Sequence, residues 1–438
     1  MFVDEKKKKT IMPIAGYYGP YQMSDEEFGE DYDHINDDIY QKIKDVGINL
    51  IVRCDNDYTL HREAVLRNLA LAEKYGIDVY VTDSATRSVD ADANIDDYFE
   101  ELKAYKSFKG ITIVDEPTTE EYGPEGCWEN GVMRMEDYRN QSRMVNASKE
   151  YNGYVNLFPM YDWLAKDNNG DEHYRTHLKK CMEMMKPKVL SWDHYPFDLY
   201  KSHDITELNQ VYFRNLATVR EVAMEYGVPF WSYVQAGSNW SDSTTRILTS
   251  INDTPTKSQM LWNINTALAY GAKGIQYFPI IQPYFFSYAE NNGHDFERHG
   301  LLGANGEATQ WYAYAQYINE LVCVVGDVLM NATSETILAI GAKAKTETKI
   351  IEDSYGVLES VDAENGALIG VFKYEDKTAY YVVNYDMDKE EKSTISLQFS
   401  AEMSGKVLSR EGEQNISGKA YSCQLDAGDA LVVVVSEV

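Results

Sequence analysis

Features that would mark several protein classes are scarce or absent in this sequence. The chain of 438 residues contains only five cysteines, at positions 54, 127, 181, 323 and 423, and none of them forms a Cys-x-x-Cys pair. An odd and scattered set of cysteines indicates neither a disulfide framework nor a zinc site. No stretch approaches the roughly 18 unbroken apolar residues that a membrane-spanning helix needs. We therefore expect neither a disulfide-rich domain nor a membrane span.

Basic residues are also few. The 41 lysines and arginines are outnumbered by 70 aspartates and glutamates, which gives a net charge of −29. Such a surface repels phosphate backbones and anionic lipids, so we expect no nucleic-acid partner and no membrane partner. Neutral sugars are not repelled, and a carbohydrate partner remains compatible with this charge.

The N-terminus offers little that resembles a signal peptide. The lysines at 6–9 are followed by "TIMPIAGYYGP", which is too short and too polar for the apolar region of such a signal. We expect no secretion signal in this chain, which leaves either a cytoplasmic protein or a secreted one whose signal has been removed.

Most of the chain alternates between short apolar strands and helical patterns, and this alternation repeats eight times. A typical helical stretch is "HREAVLRNLALAEKYG" at 61–76, whose apolar residues recur at helical spacing. Three helical stretches end in a glycine followed by a strand, in "DVGIN", "KYGID" and "EYGVP". The predicted strands cover 10–18, 48–55, 78–85, 110–117, 154–161, 189–196, 229–236 and 274–281.

Eight strand–helix units predict a closed (β/α)₈ barrel. An open, doubly wound sheet would need a glycine-rich phosphate loop after its first strand, and "AGYYGPYQ" does not have the G-x-G-x-x-G spacing. After the last helical stretch the sequence pattern changes to short strands joined by tight turns such as "DAENG". We predict an α/β protein with a catalytic (β/α)₈ barrel at 1–335 and an antiparallel β-sandwich at 336–438.

The active site of such a barrel lies at the carboxyl ends of its strands. Acids, aromatic rings and amides occur there, and this set suits hydrolysis of a glycosidic bond, with carboxyl groups for proton transfer and rings for sugar faces. We find no metal-binding or phosphate-binding signature and expect no cofactor. The residues predicted to bind substrate are Tyr18, Arg53, Asp83, Tyr161, Trp192, His194, Tyr195, Trp231, Tyr233, Gln235 and Tyr277.

Two adjacent acids end the fourth predicted strand, in "GITIVDEP" at 110–117. Because like charges at close range raise the pKa of one partner, one of these carboxyl groups can keep a proton near neutral pH. We predict Glu116 as the general acid and Asp115 as the neighbour that orients it. The alternative is a solvated acid pair or a helix N-cap in the loop.

A third acid, Asp193, ends the sixth predicted strand in "SWDHYPFD" at 191–198. It would lie across the barrel mouth from Glu116 and could act as nucleophile or as base, according to the separation of the two carboxyl groups. The alternative is an aspartate that only binds His194 or a sugar hydroxyl.

With these residues, the chain resembles the clan A-type glycoside hydrolases, nearest in layout to family-42-like enzymes, over most of residues 10–330. "DEP" resembles the clan's Asn-Glu-Pro, which implies an acid/base role for Glu116, and "DHYP" resembles its strand-six signature, which implies substrate contacts for His194 and Tyr195. The segments "ALAYGAKGIQYF" and "GLLGANGEATQWYAY" are similar to the last strand and closing helix of such enzymes.

This sequence departs from the clan's pattern at two positions. Asp115 stands where the clan has asparagine, and the seventh strand, "WSYVQAG", has Gln235 where the nucleophilic glutamate would be. Three possibilities follow, namely that Asp193 is the second carboxyl group, that a substrate acetamido group is the nucleophile, or that the barrel binds glycans without cleaving them. The second resembles the substrate-assisted N-acetylhexosaminidases, in which the Asp of an Asp-Glu pair orients the acetamido group and the Glu protonates the leaving group. A tyrosine, here Tyr195 or Tyr233, bonds the acetamido group.

Overall fold

The computed structural model describes eleven segments that together cover most of the chain. They are residues 3–4, 9–23, 32–90, 92–117, 135–160, 170–197, 205–237, 255–282, 300–341, 354–387 and 392–438.

Eight parallel strands close into a barrel, and each lies within a stretch predicted from the sequence or within two residues of it. Neighbours around the barrel follow the order β6-β7-β8-β1-β2-β3-β4-β5, so that strands consecutive in the chain lie side by side. The predicted (β/α)₈ barrel is confirmed. The strands are β1 Ile14–Gly16, β2 Leu50–Ile51, β3 Asp78–Val81, β4 Phe108–Asp115, β5 Asn152–Leu157, β6 Leu190–Trp192, β7 Phe230–Gln235 and β8 Ile275–Phe278.

Helices connect these strands around the outside, and local sequence sets their ends. Asn36 caps the first helix by accepting a hydrogen bond from the Ile39 amide, and Thr256 with Gln259 forms a capping box on the seventh. The helices are α1 Asp37–Asp45, α2 Arg62–Tyr75, α3 Glu100–Lys103, α4 Met135–Ala147, α5 Gly170–Met185, α6 Ile205–Tyr226, α7 Lys257–Ala269 and α8 Gln310–Asn331.

The three glycine stops predicted at helix ends are confirmed. Gly47, Gly76 and Gly227 follow α1, α2 and α6 with φ angles of 88°, 68° and 66°. Because a β-carbon disfavours this left-handed conformation, glycine is the residue that ends a helix here at least cost.

The barrel interior contains its own cluster of buried side chains. Alternate residues of each strand point inward, and large aromatic rings fill much of the space. The cluster consists of Ala15, Tyr17, Leu50, Val52, Tyr80, Tyr154, Val189, Trp231 and Tyr233. Residues of opposite parity face the helices and belong to the larger core outside the barrel wall.

A seven-stranded antiparallel sheet follows the barrel, beginning two residues after α8 ends at Asn331. Its strand order is β9-β11-β12-β15-β13-β10, and β14 pairs with β13. The strands are β9 Thr333–Ile340, β10 Leu358–Ala363, β11 Ala367–Tyr374, β12 Lys377–Asn384, β13 Ser393–Ser409, β14 Gly412–Leu425 and β15 Ala430–Glu437.

The long strand β13 changes partners at an irregularity between Gln398 and Met403. Its first part pairs with β10 and its second part with β15, so the sheet folds over an apolar cluster that includes Ile369, Leu397 and Val433. This arrangement confirms the predicted class of a barrel followed by a β-sandwich.

The other face of this sheet packs on the barrel helices and shares their apolar core. Phe372, Val432 and Val434 of the sheet belong to the same cluster as Trp262 of α7 and the apolar residues of α8. The Tyr381 hydroxyl donates to the Asn265 side chain at 2.7 Å within this interface. The two domains therefore pack as one body through a continuous core.

An ion pair lies at the edge of this domain interface. Arg410 donates two hydrogen bonds to the Asp429 carboxylate at 2.7 and 2.8 Å, and its guanidinium group lies 3.9 Å from the centre of the Tyr317 ring on α8. The side chains of Arg410 and Asp429 are only 12% and 8% exposed. Breaking the pair would leave the nearly buried Asp429 without an ion-pair partner, with the Ala430 amide still donating to it at 2.7 Å.

Within the described residues, no helix is long and apolar enough to cross a membrane.

We predict that Arg410→Met lowers the free energy of unfolding by about 3 kcal/mol, because Asp429 loses its partner at a buried position. Urea unfolding measures this change. The matched control is Lys406→Met, which removes an exposed pair with Glu413 and should cost under about 1 kcal/mol. Equal effects of the two variants would contradict the role assigned to Arg410.

Candidate active site

Three carboxyl groups meet at the mouth of the barrel, on two strands that are separated by β5. Asp115 is the last residue of β4 and Glu116 follows it, while Asp193 follows β6. Asp193 is 5% exposed, whereas Glu116 is half-buried and Asp115 is exposed. The structure thus brings together the three residues predicted to be catalytic.

Hydrogen-bond donors hold both oxygens of Asp115. The Tyr17 hydroxyl donates to Oδ2 at 2.7 Å, and the Asn156 amide donates to Oδ1 at 3.1 Å. Arg53, which has only donors, donates to the Tyr17 oxygen at 2.6 Å, so the tyrosine hydrogen is directed to Asp115. Both oxygens of Asp115 therefore accept hydrogen bonds from neighbouring side chains.

Tyr17 remains a neutral donor in this arrangement. Burial, followed by the charge of Asp115, raises the pKa of its hydroxyl well above the usual value. The Arg53 guanidinium, 5.3 Å from the centre of the Tyr17 ring, acts in the opposite direction. The neutral Tyr17 hydroxyl therefore links the Arg53 guanidinium group to the Asp115 carboxyl group through two hydrogen bonds.

Asn156 of β5 links two of the acids. Its single Nδ2 group donates to Asp115 Oδ1 and to Asp193 Oδ1, each at 3.1 Å. Its Oδ1 accepts a hydrogen bond from the Ser191 hydroxyl at 3.0 Å. Because an amide nitrogen only donates, the Asp193 oxygen that faces Asn156 is an acceptor.

Asp193 and Glu116 form a hydrogen bond with each other. Two carboxyl groups make such a bond only when one of them carries a proton. Burial, followed by the charge of Asp115, raises the pKa of Asp193 to about 7, against the lowering effect of the bonds from Glu116 and Asn156. A carboxyl group whose pKa lies near 7 can keep a proton near neutral pH, and this one lies beside Glu116 and Asp115.

The backbone at the mouth is strained at two positions that carry side chains. Glu116 has a φ angle of 48° and Tyr18 one of 52°, both in the left-handed region. The Glu116 amide donates to the Asn156 carbonyl at 3.0 Å, which fixes this conformation where β4 ends. Strain of this kind costs about 1–3 kcal/mol per residue and clusters at functional sites.

Aromatic rings surround the carboxyl groups. Phe278 lies 5.4 Å from Tyr195, 5.6 Å from Tyr18 and 5.8 Å from Tyr17 between ring centres. Tyr18, Tyr195 and Phe278 are half-buried, so part of each ring remains open at the mouth. Flat rings with polar edges suit the apolar faces and the hydroxyl groups of a sugar.

Arg53 has a second acidic neighbour at the mouth. Its Nε lies 3.9 Å from the nearest Asp55 oxygen. Burial raises the pKa of Asp55 to about 6, against the lowering effect of Arg53. Within the described residues, Asp55, Asp115, Glu116 and Asp193 therefore lie at the mouth together with Arg53.

Three of the predicted substrate-binding residues face away from the mouth. Trp192 packs on Tyr212 of α6, and the Tyr277 hydroxyl donates to Asn319 of α8 at 2.8 Å. His194 bonds Asn215 of α6 through Nδ1 at 3.1 Å, and burial lowers its pKa to about 4. Because side chains alternate along a strand, residues of this parity point to the helices, and the structure does not bring these three predicted residues to the mouth.

Four other predicted residues are held within the protein. The Asp83 carboxylate accepts from Thr59 at 2.6 Å and from Thr86 at 2.7 Å, and thereby orders its own loop. Trp231 and Tyr233 belong to the interior cluster below the mouth, and Gln235 joins the amide of residue 197 to the carbonyl of residue 237. Tyr161 lies outside the described residues.

Several residues that build the site were not among those predicted. Tyr17, Asn156 and Phe278 contact the acids or form the aromatic wall, and Gln276 lies beneath them. Asn156 in "YVNLF" and Gln276 in "GIQYF" are polar residues inside otherwise apolar strands. Such a residue in a fully buried strand needs a partner, and this signal could have found them.

Across the segments that the structure describes, no group of three or more histidine, cysteine or acidic side chains could hold a metal ion.

No protein-family model matches the sequence, and no curated protein matches it either. Solved structures with a similar fold include an Anoxybacillus α-amylase, which is 10% identical with 98% of each chain covered and a TM-score of 0.48. A GH27 β-L-arabinopyranosidase from Geobacillus stearothermophilus is 8% identical, with 98% of this chain and 97% of that chain covered and a TM-score of 0.46.

A β-galactosidase from the psychrophilic Marinomonas ef1 is 14% identical, with a TM-score of 0.43 over 75% of this chain. The alignment spans 63% of that longer protein. Identities of this size, with TM-scores below 0.5, carry no information about the reaction or the substrate of this chain.

The raised pKa of Asp193 predicts a pH-dependent stability. Between the ordinary value of 3.8 and the folded value of about 7, the folded protein binds more protons than the unfolded chain, so stability falls as the pH rises through this window. Asp193→Asn removes this loss. The melting temperature of Asp193→Asn minus that of the parent should therefore be larger at pH 8 than at pH 4.5.

The control for this measurement is Asp362→Asn, at an exposed position of β10. Its difference from the parent should be the same at both pH values. If the Asp193→Asn difference is equally constant, the proton is not held at this site.

Proposed function

We propose that the protein hydrolyses glycosidic bonds, with Glu116 as the general acid. The observation that carries the proposal is the hydrogen bond between Glu116 and Asp193 beside the fixed carboxylate of Asp115. A carboxyl group that keeps a proton near neutral pH is what a leaving glycosidic oxygen requires. Glu116 is the half-buried member of this pair and can present the proton at the mouth.

The substrate we propose is an uncharged sugar. The four acids at the mouth, with Arg53 as their cationic neighbour, would repel a sugar that carries a carboxylate or a phosphate. The half-buried rings of Tyr18, Tyr195 and Phe278 offer stacking surfaces for a pyranose. The net charge of −29 also repels negatively charged sugars, and it does so over a longer range.

The contact between Glu116 and Asp193 favours the substrate-assisted mechanism. A pair of acids that flanks a sugar ring lies about 5–9.5 Å apart, whereas the Glu116 and Asp193 carboxyl groups interact directly as hydrogen-bond partners. In this mechanism Glu116 protonates the leaving oxygen while the carbonyl oxygen of a 2-acetamido group attacks C1 and the glycosidic bond breaks. Asp115, held as a carboxylate, balances the positive charge of the resulting oxazolinium ion.

Water then completes the reaction. Glu116, now deprotonated, accepts a proton from a water molecule whose oxygen attacks C1, and the acetamido group is restored. The acid is regenerated with its proton, and Asp193 again shares it. No atom of the protein becomes bonded to the sugar.

The two alternatives to this mechanism require a different arrangement or a different role of the acids. For Asp193 to act as nucleophile or base, Glu116 must rotate away from it, and the sugar must enter between the two. For a glycan-binding barrel without activity, the shared proton would have no catalytic role, and Gln235 at the place of the clan's nucleophile would mark the loss of chemistry.

We predict that Glu116→Gln lowers kcat/KM on an aryl glycoside by about 100-fold to 10,000-fold, because general acid catalysis contributes this much. The loss should be smaller for a dinitrophenyl leaving group, which needs little protonation. Glu413→Gln, at an exposed position on β14, is the matched control and should retain the parent rate. A Glu116→Gln variant as fast as the parent would contradict the assignment.

A panel of aryl glycosides distinguishes the mechanisms. We predict that the 2-acetamido sugars react about 100-fold faster than their 2-hydroxy counterparts, since the internal nucleophile acts by proximity. A thiazoline analogue of the oxazolinium ion should inhibit competitively. Faster cleavage of 2-hydroxy sugars, abolished by Asp193→Asn, would instead assign the second role to Asp193, and cleavage of neither class would leave the glycan-binding function.

A further inference from the structure

A chain of buried polar groups runs beneath the acids, inside the barrel. The Gln276 amide of β8 donates to the Ser191 hydroxyl at 2.8 Å, and its carbonyl oxygen accepts from the Tyr154 hydroxyl at 2.6 Å. The Tyr233 hydroxyl lies 3.0 Å from that of Tyr154. Each of these four side chains is at most 1% exposed.

The hydrogen bonds of this chain have a consistent direction. Asn156 turns its NH₂ group to the acids, so its Oδ1 needs a donor, and the Ser191 hydroxyl supplies the hydrogen. Ser191 has then used its only hydrogen and must accept one, which the Gln276 NH₂ group provides. Position 276 therefore requires a side chain that donates to Ser191 and also accepts from Tyr154.

We propose that Gln276 is a positioning residue that orients the Asn156 amide through Ser191, so that both amide hydrogens point to the carboxyl groups of Asp115 and Asp193. Gln276 contacts neither acid and would touch no substrate. If it is replaced by an apolar side chain, the Ser191 hydroxyl is free to turn to Tyr154, and the Asn156 amide loses the bond that fixes its orientation. The ionised form of Asp193 then loses a donor that stabilises it.

The consequence is a change in the proton affinity of Asp193. The charged or titratable groups that act on Asp193 in the described residues are Asp115, Glu116, Tyr154 and Tyr174. Tyr154 loses its bond to Gln276 in such a variant, but it stays neutral because burial raises the pKa of its hydroxyl. No charge near Asp193 changes, so a shift of the Asp193 titration reports the orientation of Asn156. The inference rests on the proposed function for its catalytic meaning, but the titration is measured on the free protein and needs no activity.

The experiment is a titration of the side-chain carboxyl carbons by NMR, with ¹³C-labelled aspartate and with the Asp193 signal assigned by its loss in Asp193→Asn. We expect Gln276→Met to raise the Asp193 midpoint by about half a pH unit to one unit, and a full unit is a tenfold change in proton affinity. The matched control is Gln141→Met. Gln141 is another glutamine with 0% exposure, and it bonds the Asp83 carbonyl and Thr86 instead of the acids.

An unchanged Asp193 midpoint in folded Gln276→Met, equal to that of Gln141→Met, would overturn the inference. If Gln276→Met does not fold, Ser191→Ala makes the same test with a smaller change, since it removes the donor to Asn156 directly. Ser191→Ala should also raise the midpoint, and an unchanged value would be equally decisive. A shifted titration in a protein that cleaves no glycoside would refute the proposed function and leave this inference standing.

Discussion

The arrangement of the site centres on the buried carboxyl group of Asp193, which lies beside Glu116 and Asp115. Its pKa is raised to about 7 because Asp193 is buried and because the charge of Asp115, 78 residues earlier in the chain, acts on it. Tyr17 and Asn156 occupy the oxygens of Asp115 with donors, and Arg53 directs the tyrosine hydrogen. These hydrogen bonds fix the position of the carboxyl group whose charge acts on Asp193.

The barrel makes this arrangement possible through the alternation of side chains along its strands. Asp115, Asn156 and Asp193 come from the three neighbouring strands β4, β5 and β6, so one asparagine can reach two acids. Below them the polar chain from Ser191 to Tyr233 satisfies buried groups that would otherwise be costly. The strain at Glu116 is borne by a closed sheet that packs against helices and, behind α7 and α8, against the C-terminal sandwich.

The fold was largely predictable from the sequence because strand and helix periods alternate eight times and then cease. The acids were predictable for a similar reason, since charged residues at the end of an apolar strand stand out in "ITIVDEP". The directions of side chains were not. Trp192, His194 and Tyr277 lie beside mouth residues in the sequence but face the helices, and strand parity depends on where each short strand begins. The left-handed backbone conformation of Glu116 was not predictable either, because no glycine or asparagine marks that position.

The most direct measurement of the central claim is the infrared absorption of protonated carboxyl groups at pH 6. We expect a C=O band of one protonated, hydrogen-bonded carboxyl group in the parent protein, and we expect this band to disappear or shift in both Glu116→Gln and Asp193→Asn. Isotopic labelling of glutamate and aspartate would assign the band to this pair. A spectrum in which the parent has no such band, or in which both variants keep it unchanged, would show that the proton is not shared between Glu116 and Asp193.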